Sequence, residues 1–231
     1  DVAPSRGLGD VYKRQDATLR TYIVDSSEYF EHSRRPMVFI CPGGGYEFVS
    51  HKEGEPLALQ FTAMGYHAAV LTYSVKPAVY PTQLLEIAQA WKIIRENADR
   101  WNVLTDKIII MGGSAGGHLA ASLGVHFGKY QELFKENIRP DGMVLCYPVI
   151  TAGKYTHPLS AQNIAPTEEL RKLASLEDHV SADVCPTFIW HCADDNIVPV
   201  ENSLMFASAL SGSNVPLSLI HISEPTRRSY I

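Results

Sequence analysis

The sequence predicts an α/β fold: a mostly parallel, doubly wound sheet with helices on both faces. Short apolar segments bounded by Gly, Pro or Asp have the length of strands that are buried on both faces. Segments with helical periodicity alternate with them, and no repeat, low-complexity tract or linker divides the chain. Because this alternation implies right-handed crossovers, we expect ligands to bind at the carboxyl ends of the strands.

The individual elements can be placed from these patterns. The predicted strands are residues 37–41, 67–72, 107–111, 143–147 and 187–191. The clearest helix begins after Tyr80-Pro81. Its apolar residues Leu84, Ile87 and Trp91 recur at three- and four-residue spacing with charged residues between them. Further helices are predicted at 56–64, 115–127 and 200–210.

Length and composition indicate one globular domain. The chain has 231 residues, 45% of them hydrophobic, and a formal net charge of -5, which allows a full core. Lys and Arg are dispersed, which argues against nucleic acid or an anionic membrane as a partner. No apolar run reaches the roughly 18 residues of a membrane helix, and no signal peptide is recognised. The predicted compartment is therefore the cytoplasm.

The four cysteines lie in apolar surroundings without CxxC or zinc-finger spacing. Such residues are typical of buried free thiols rather than of disulfides or metal ligands. The expectation applies to Cys41, Cys146, Cys185 and Cys192.

Both ends of the chain are predicted to be foreign to the natural protein. Residues 10–15, back-translated as GAT GTG TAT AAG AGA CAG, have the reverse complement CTG TCT CTT ATA CAC ATC, which encodes residues 217–222. The same relation joins residues 5–9 to residues 223–227. This inverted repeat resembles the translated transposase adapter of sequencing libraries. We therefore expect residues 1–15 and 217–231 to be adapter-derived, and residues 16–216 to be an incomplete natural domain.

A strand that turns directly into a helix carries the first chemical signal. Residues 107–111 run into Gly112-Gly113-Ser114-Ala115-Gly116, and more small residues follow. This is a G-x-S-x-G sequence in the strand-to-helix context of a nucleophile elbow, where only small neighbours fit around a strained serine. A phosphate-binding loop is the alternative, but no G-x-G-x-x-G or G-K-[ST] sequence is present. Ser114 is thus the predicted nucleophile.

Three consecutive glycines follow the strand 37–41. In Pro42-Gly43-Gly44-Gly45-Tyr46 they let backbone N–H groups approach a substrate oxygen. The predicted function is an oxyanion hole formed by Gly44, Gly45 and Ala115, in which each donor is worth about 3 kcal/mol. A flexible loop without this function is the alternative.

An acidic segment follows the strand 187–191. It contains Asp194 and Asp195, and a carboxylate here could orient a catalytic imidazole. Asp195 is the predicted catalytic acid because it stands three residues before Val198-Pro199, the D-x-x-V-P spacing of serine hydrolases. Asp194 is expected to cap the turn instead. The order Ser then Asp predicts that His follows.

Together these motifs resemble the α/β-hydrolase superfamily, and specifically its acetylesterase or acetyl-xylan-esterase-like carbohydrate esterases, which are related to hormone-sensitive-lipase-type and feruloyl-esterase-type enzymes. The resemblance covers nearly all of residues 16–216. It rests on residues 41–46, Tyr80-Pro81 with its helix, 97–101, 113–121 and 195–203. It implies an α/β-hydrolase fold and no metal or organic cofactor. One departure is Pro42, which replaces the His of the H-G-G-G form of the loop, although the glycine N–H groups still supply the function.

The catalytic base is expected to be missing. In the family it lies in a loop after the last strand, which here would begin near Val215, whereas the natural sequence is expected to stop at Pro216. His221 falls inside the strand-like run, too early for that loop. His118 is expected to pack or cap, and His191 to be a core or rim residue. No catalytic His is therefore assigned, and the last helix is expected to be absent as well.

These inferences predict a serine esterase that removes acetyl or other short acyl groups from sugars or xylo-oligosaccharides through an acyl-enzyme, so its partner would be a small-molecule or oligosaccharide ester. Without its His, the chain as written is expected to be inactive. A peptidase or lactone hydrolase on the same scaffold, or a non-catalytic binding protein, are the alternatives. The sequence does not indicate an oligomeric state.

A polar and aromatic loop suited to sugar hydroxyls contains Thr151, Lys154, Tyr155, His157, Ser160, Gln162 and Asn163.

Overall fold

Parallel strands dominate the architecture. The structure is a computed structural model that describes residues 17–25 and 34–222, with side chains to residue 220. Within these residues, seven strands form one sheet in the order β1-β3-β2-β4-β5-β6-β7, in which β1 is antiparallel to β3 and the other pairs are parallel. The strands are β1 (Thr18–Tyr22), β2 (Arg35–Cys41), β3 (His67–Thr72), β4 (Val103–Gly113), β5 (Gly142–Cys146), β6 (Thr187–Cys192) and β7 (Leu217–Ile222).

Helices connect the parallel strands, as the sequence predicts. They are α1 (Glu55–Ala63), α2 (Thr82–Glu96), α3 (Ser114–Phe134), α4 (Pro158–Ile164), α5 (Glu168–Ala174) and α6 (Glu201–Gly212). Two 3₁₀ turns cover His51–Glu53 and Leu176–His179. None of the helices in the described part of the chain is long and apolar enough to cross a membrane.

The register between β2 and β4 positions the site. Cys41, the last residue of β2, pairs with Gly112 near the end of β4. Because the two strands are parallel and adjacent, the segments that follow them leave the same edge of the sheet side by side. The three glycines after β2 and Ser114 after β4 therefore meet at the carboxyl end of the sheet, where parallel α/β sheets bind ligands.

The two faces of the sheet are covered unequally. Alternate residues of β2 point to opposite faces: Phe39 packs in the large core with Trp91 of α2, whereas Ile40 packs with Ala58 of α1. On the face of the sheet that α1 covers, the side chains of β4, β5 and β6 are only half-buried. They are Ile109, Met111, Val144, Cys146, Phe188 and Trp190. On β7, Ile220 is 42% exposed.

The main elements agree with the sequence analysis. Each of the five predicted strands forms within one residue of its expected boundaries or, for β2 and β4, as part of a longer strand. Residues 217–222 form β7, the strand that their partial alternation allows, and the four cysteines are free. β1, α4 and α5 were not predicted. The predictions for residues 1–15 and 223–231 lie outside the described residues.

Candidate active site

Ser114 lies where β4 turns into α3. It is the first residue of the helix and has φ of +53°, a left-handed conformation that non-glycine residues rarely adopt. The flanking glycines are required by close packing: a Cβ at Gly116 would lie 2.0 Å from the Cys41 carbonyl oxygen, and one at Gly112 would lie 2.2 Å from the Gly116 oxygen. The serine therefore sits in a sharp turn that only small neighbours permit.

The helix contributes an electrostatic field at the same point. Ala115 is the second residue of α3, so its N–H is one of the four that an α-helix leaves without an internal acceptor. Aligned peptide dipoles place partial positive charge at this end of the helix. A negative charge that develops near Ser114 would be favoured by both effects.

The glycine loop, Pro42 to Tyr46, is held in one conformation by its carbonyl groups. Gly44, Gly45 and Tyr46 have φ of +127°, +64° and +57°, so the chain turns sharply here. Each of the five carbonyl oxygens accepts a hydrogen bond. The donors to Pro42, Gly43, Gly44, Gly45 and Tyr46 are, in that order, Tyr73 OH, Ser50 N, Glu47 N with Phe48 N, Asn163 Nδ2 and Lys76 N.

The N–H groups of the same loop are used differently. Gly43 N–H donates to Glu53 Oε2 at 2.6 Å. Within the described residues, neither Gly44 N–H nor Gly45 N–H has a hydrogen-bond acceptor. The loop also lies against the serine, because a Cβ at Gly43 would be 3.1 Å from Ser114 Cβ. Two unsatisfied donors thus belong to a loop of fixed backbone that contacts Ser114 at Gly43.

A buried pair fastens the loop to α3. Tyr46 OH lies 2.7 Å from His118 Nδ1, and His118 Nε2 lies 2.8 Å from the Ala174 carbonyl oxygen. Since a carbonyl can only accept, Nε2 carries the proton and Nδ1 accepts from the tyrosine. Burial lowers the pKa of His118 to about 4, so the imidazole is neutral at pH 7. His118 packs, as expected, and both its nitrogens are occupied.

The turn that follows β6, which we call the acid loop, is stabilised by the Asp195 side chain. Its Oδ1 accepts the N–H groups of Ile197 at 3.0 Å and Val198 at 3.1 Å, while Oδ2 lies 3.7 Å from His191 Nε2. The expectation that Asp194 caps this turn is wrong, because Asp195 makes the bonds to the turn and Asp194 is exposed. The Asp195 carboxylate is accordingly fixed in position at the end of β6.

The described histidines are mostly engaged in the fold. His191 is buried and contacts Ser203 Oγ at 2.7 Å and the Val198 oxygen at 2.9 Å, and the ring nitrogens of His67 bond to Val24 N and the Asn102 oxygen. His157 differs. Its Nδ1 contacts Ser160 Oγ at 2.8 Å, and its ring lies beside Gly45, with Cε1 3.8 Å from where a Cβ would be.

In the polar loop after β5, residues 151–163, more side chains form hydrogen bonds within the protein than the sequence suggested. Thr151 and Ser160 are buried, and Asn163 is committed to the Gly45 oxygen at 2.9 Å. Lys154 and Gln162 are exposed. Most of the side chains expected to meet sugar hydroxyls thus form internal hydrogen bonds, so the loop supports a sugar site less strongly than its composition implied.

One residue near the site was not singled out from the sequence. Glu53 bonds to the glycine loop and lies in no local motif. His157, which borders the same loop, was named only among the polar residues expected to meet sugar hydroxyls. Across the described residues, no three His, Cys, Asp or Glu side chains form a cluster that could hold a metal ion.

Two family models match the chain. The family described as BD-FAE matches residues 27–142. The prolyl oligopeptidase family matches residues 86–226. Both matches include the junction that carries Ser114.

Known proteins resemble this chain over most of its length. An endo-1,4-beta-xylanase B of Butyrivibrio fibrisolvens is 39% identical over 80% of this chain and 31% of its own. An acetylxylan esterase of Xylanibacter ruminicola is 28% identical over 77% of this chain and 38% of its own. The chain thus spans about a third of these curated relatives. The solved structure of an acetyl ester-xyloside bifunctional hydrolase from Caldicellulosiruptor lactoaceticus has a TM-score of 0.84 and 35% identity, covering 92% of this chain and 79% of that one.

Proposed function

This chain belongs to the acetyl-xylan-esterase-like members of the α/β-hydrolase superfamily, and on that premise we propose that it represents a serine esterase that removes acetyl groups from sugars or xylo-oligosaccharides. One observation carries the proposal. Ser114 stands at the positive-φ start of α3 beside a glycine loop whose carbonyls are all bonded and whose Gly44 and Gly45 N–H groups are not. This is the arrangement that an acyl-transfer site requires.

The chemistry follows from these groups. Ser114 Oγ attacks the ester carbonyl carbon, and its proton passes to an imidazole base. The carbonyl oxygen becomes an alkoxide that accepts hydrogen bonds from Gly44, Gly45 and Ala115. Collapse of this intermediate releases the alcohol, which takes the proton from the imidazolium, and leaves an acetyl-serine that water hydrolyses by the same steps. Asp195 is proposed to orient the imidazole.

The base is proposed to lie outside the described residues. His118 and His191 have both nitrogens engaged within the fold, and among the described side chains no histidine, His157 included, is hydrogen-bonded to Ser114. Loss of one triad member typically lowers turnover by about 10⁴ to 10⁶. We therefore expect the chain as written to hydrolyse a short ester barely above background, and external imidazole to restore part of the activity that depends on Ser114.

The test compares the unmodified chain with Ser114→Ala, with and without added imidazole, on p-nitrophenyl acetate and acetylated xylo-oligosaccharides. Ser211→Ala, an exposed serine of α6, is the matched control. We expect imidazole-stimulated acetate release in the unmodified chain and Ser211→Ala, and none beyond background in Ser114→Ala. Equal rates in Ser114→Ala would refute the nucleophile. Faster cleavage of p-nitrophenyl palmitate than of acetate would refute the short-acyl assignment.

A peptidase is the second candidate, since the prolyl oligopeptidase family model matches residues 86–226. The same nucleophile and oxyanion donors would serve an amide, whose poorer leaving group makes the protonating base indispensable. Hydrolysis of a prolyl p-nitroanilide at a rate comparable to that of the acetyl ester would favour this candidate.

A further inference from the structure

We propose that Glu53 is a positioning residue of the oxyanion hole: it accepts the Gly43 N–H and so fixes the loop that presents Gly44 and Gly45. The inference rests on the proposed function of Ser114. Glu53 is the last residue of the 3₁₀ turn His51–Glu53 and is half-buried, whereas the other two residues of the turn are exposed. Its side chain therefore turns inward from an otherwise solvated segment.

Both carboxylate oxygens have partners at the site. Oε2 accepts the Gly43 N–H at 2.6 Å, and Oε1 accepts the Tyr147 hydroxyl at 3.3 Å. The first bond is short, as is typical of a charge-assisted bond. Glu53 thereby links the glycine loop after β2 to the end of β5, on the two sides of the strand that leads to Ser114.

The space around the carboxylate depends on glycine. A Cβ at Gly43 would lie 2.6 Å from Oε2, and a Cβ at Gly113 would lie 3.3 Å from the same oxygen. The residue before Ser114 and the first glycine of the loop thus both leave room for this side chain. Glu53 also lines a cavity with Gly113, the residue before Ser114, and with Tyr147 and Trp190.

Tyr147 keeps the second oxygen in place. Burial, followed by the neighbouring Glu53 carboxylate, raises the pKa of Tyr147 well above its usual value. The phenol is therefore protonated at neutral pH and acts as a donor to Glu53. Tyr147 is itself fixed, because its N–H bonds to the Trp190 oxygen at 2.6 Å and its ring stands edge-on to the Trp190 ring.

The bond to Gly43 matters because three glycines in sequence have wide backbone freedom. The Gly43 N–H belongs to the Pro42–Gly43 peptide unit, which comes directly before the peptide units that carry the Gly44 and Gly45 N–H groups. Holding this planar unit in place restricts the backbone dihedral angles of the residues that follow. Misplacement of catalytic groups by about 1 Å can cost on the order of 100-fold in rate. An acceptor at Gly43 is thus expected to affect turnover more than stability.

Glu55 offers a matched comparison. It lies two residues further along, carries the same charge and is exposed at the start of α1. Its carboxylate accepts hydrogen bonds from Tyr22 and Arg20 of the edge strand β1. A general effect of removing one carboxylate from this segment would appear in both residues, whereas an effect on the oxyanion hole would appear only in Glu53.

The test uses the full chain with added imidazole and p-nitrophenyl acetate, and counts only turnover that Ser114→Ala abolishes. For Glu53→Ala we expect kcat to fall by about 10- to 100-fold with KM nearly unchanged. Glu53→Gln retains an acceptor oxygen, so its kcat should stay within about threefold. Glu55→Ala should match the unmodified chain. The affinity for phenylboronic acid, whose serine adduct places an oxygen in the oxyanion hole, should follow the same order.

Each outcome decides the question. Glu53→Ala as active as Glu55→Ala would overturn the inference, and so would Glu53→Gln as impaired as Glu53→Ala, since charge rather than acceptance would then matter. An unmodified chain with neither Ser114-dependent turnover nor boronate binding would overturn the proposed function and this inference with it. If Glu53→Ala does not fold, the Gly43 amide proton decides: it should resonate downfield and move upfield in Glu53→Gln, and an unshifted resonance contradicts the bond.

Discussion

Replacing Gly116 by alanine tests the packing of α3 against the glycine loop. The added Cβ would lie 2.0 Å from the Cys41 oxygen, 2.5 Å from the Pro42 oxygen and 2.6 Å from the Pro42 carbonyl carbon. Ordinary contact begins at 3.4 Å, so the helix start must move by about 1.4 Å, the difference between 3.4 and 2.0 Å. Because all three obstructing atoms belong to the backbone, no side-chain rotation can relieve the contact.

The magnitude follows from two opposing terms. Overpacking of this kind costs about 3 kcal/mol, and the better helix propensity of alanine returns up to about 1 kcal/mol. Gly116→Ala should therefore destabilise the fold by about 2 kcal/mol. Gly128→Ala, in the same helix with nothing within 4 Å of the new Cβ, should stabilise it by about 1 kcal/mol.

The assay is thermal and urea unfolding followed by circular dichroism. A difference of about 3 kcal/mol between the two variants corresponds to about 6 to 12 °C in Tm for a chain of this size. Gly128→Ala controls for the general effect of alanine in α3. If Gly116→Ala were as stable as Gly128→Ala, the close approach of α3 to Cys41 and Pro42 would be incorrect, and the described placement of Ser114 beside the glycine loop would fail with it.

Two further predictions concern the anchors of the glycine loop. The pKa of His118 is about 4 in the folded chain, below the ordinary 6.5, so between these pH values the unfolded chain binds more protons than the folded one. The contribution of His118 to the free energy of unfolding is therefore fully present above pH 6.5. It falls by about 3 kcal/mol as the pH is lowered toward 4. Unfolding free energies measured from pH 7.5 to 4.5 should show a shallower decline in His118→Gln, and an unchanged slope would contradict the burial of a neutral imidazole. Asn163→Ala removes the donor to the Gly45 oxygen and should cost about 1 kcal/mol in urea unfolding and lower Ser114-dependent turnover, whereas Gln162→Ala, its exposed neighbour, should change neither. Equal turnover in the two variants would remove Asn163 from the support of the loop.

The sequence predicts the centre of the sheet better than its edge. The first five residues of β3 are buried on both faces, and β6 is a largely apolar run that is buried on one face and half-buried on the other, so both match the pattern of a central strand. β1, with the sequence TLRTY, is an antiparallel edge strand whose polar residues are exposed or half-buried, and it lacks that pattern. α4 and α5 have seven residues each, which is too short for a helical period to stand out.

The site divides in the same way between local and distant signals. Ser114 and the three glycines are visible because the turns they form constrain their immediate neighbours. Glu53 meets Tyr147 across 94 positions of sequence, and Asn163 meets Gly45 across 118, so no local pattern marks either contact. At the acid loop the spacing to Val198-Pro199 singled out Asp195, yet which of the two aspartates binds the turn required the structure.

Covalent labelling can show whether Ser114 is a nucleophile held beside open oxyanion donors. The chain is incubated with a small fluorophosphonate in the presence of imidazole, digested, and mapped by mass spectrometry. We expect one phosphonyl group, on the peptide that contains Ser114, and no label on the corresponding peptide of Ser114→Ala. Label on another serine, or an unlabelled Ser114 in a folded chain, would contradict it.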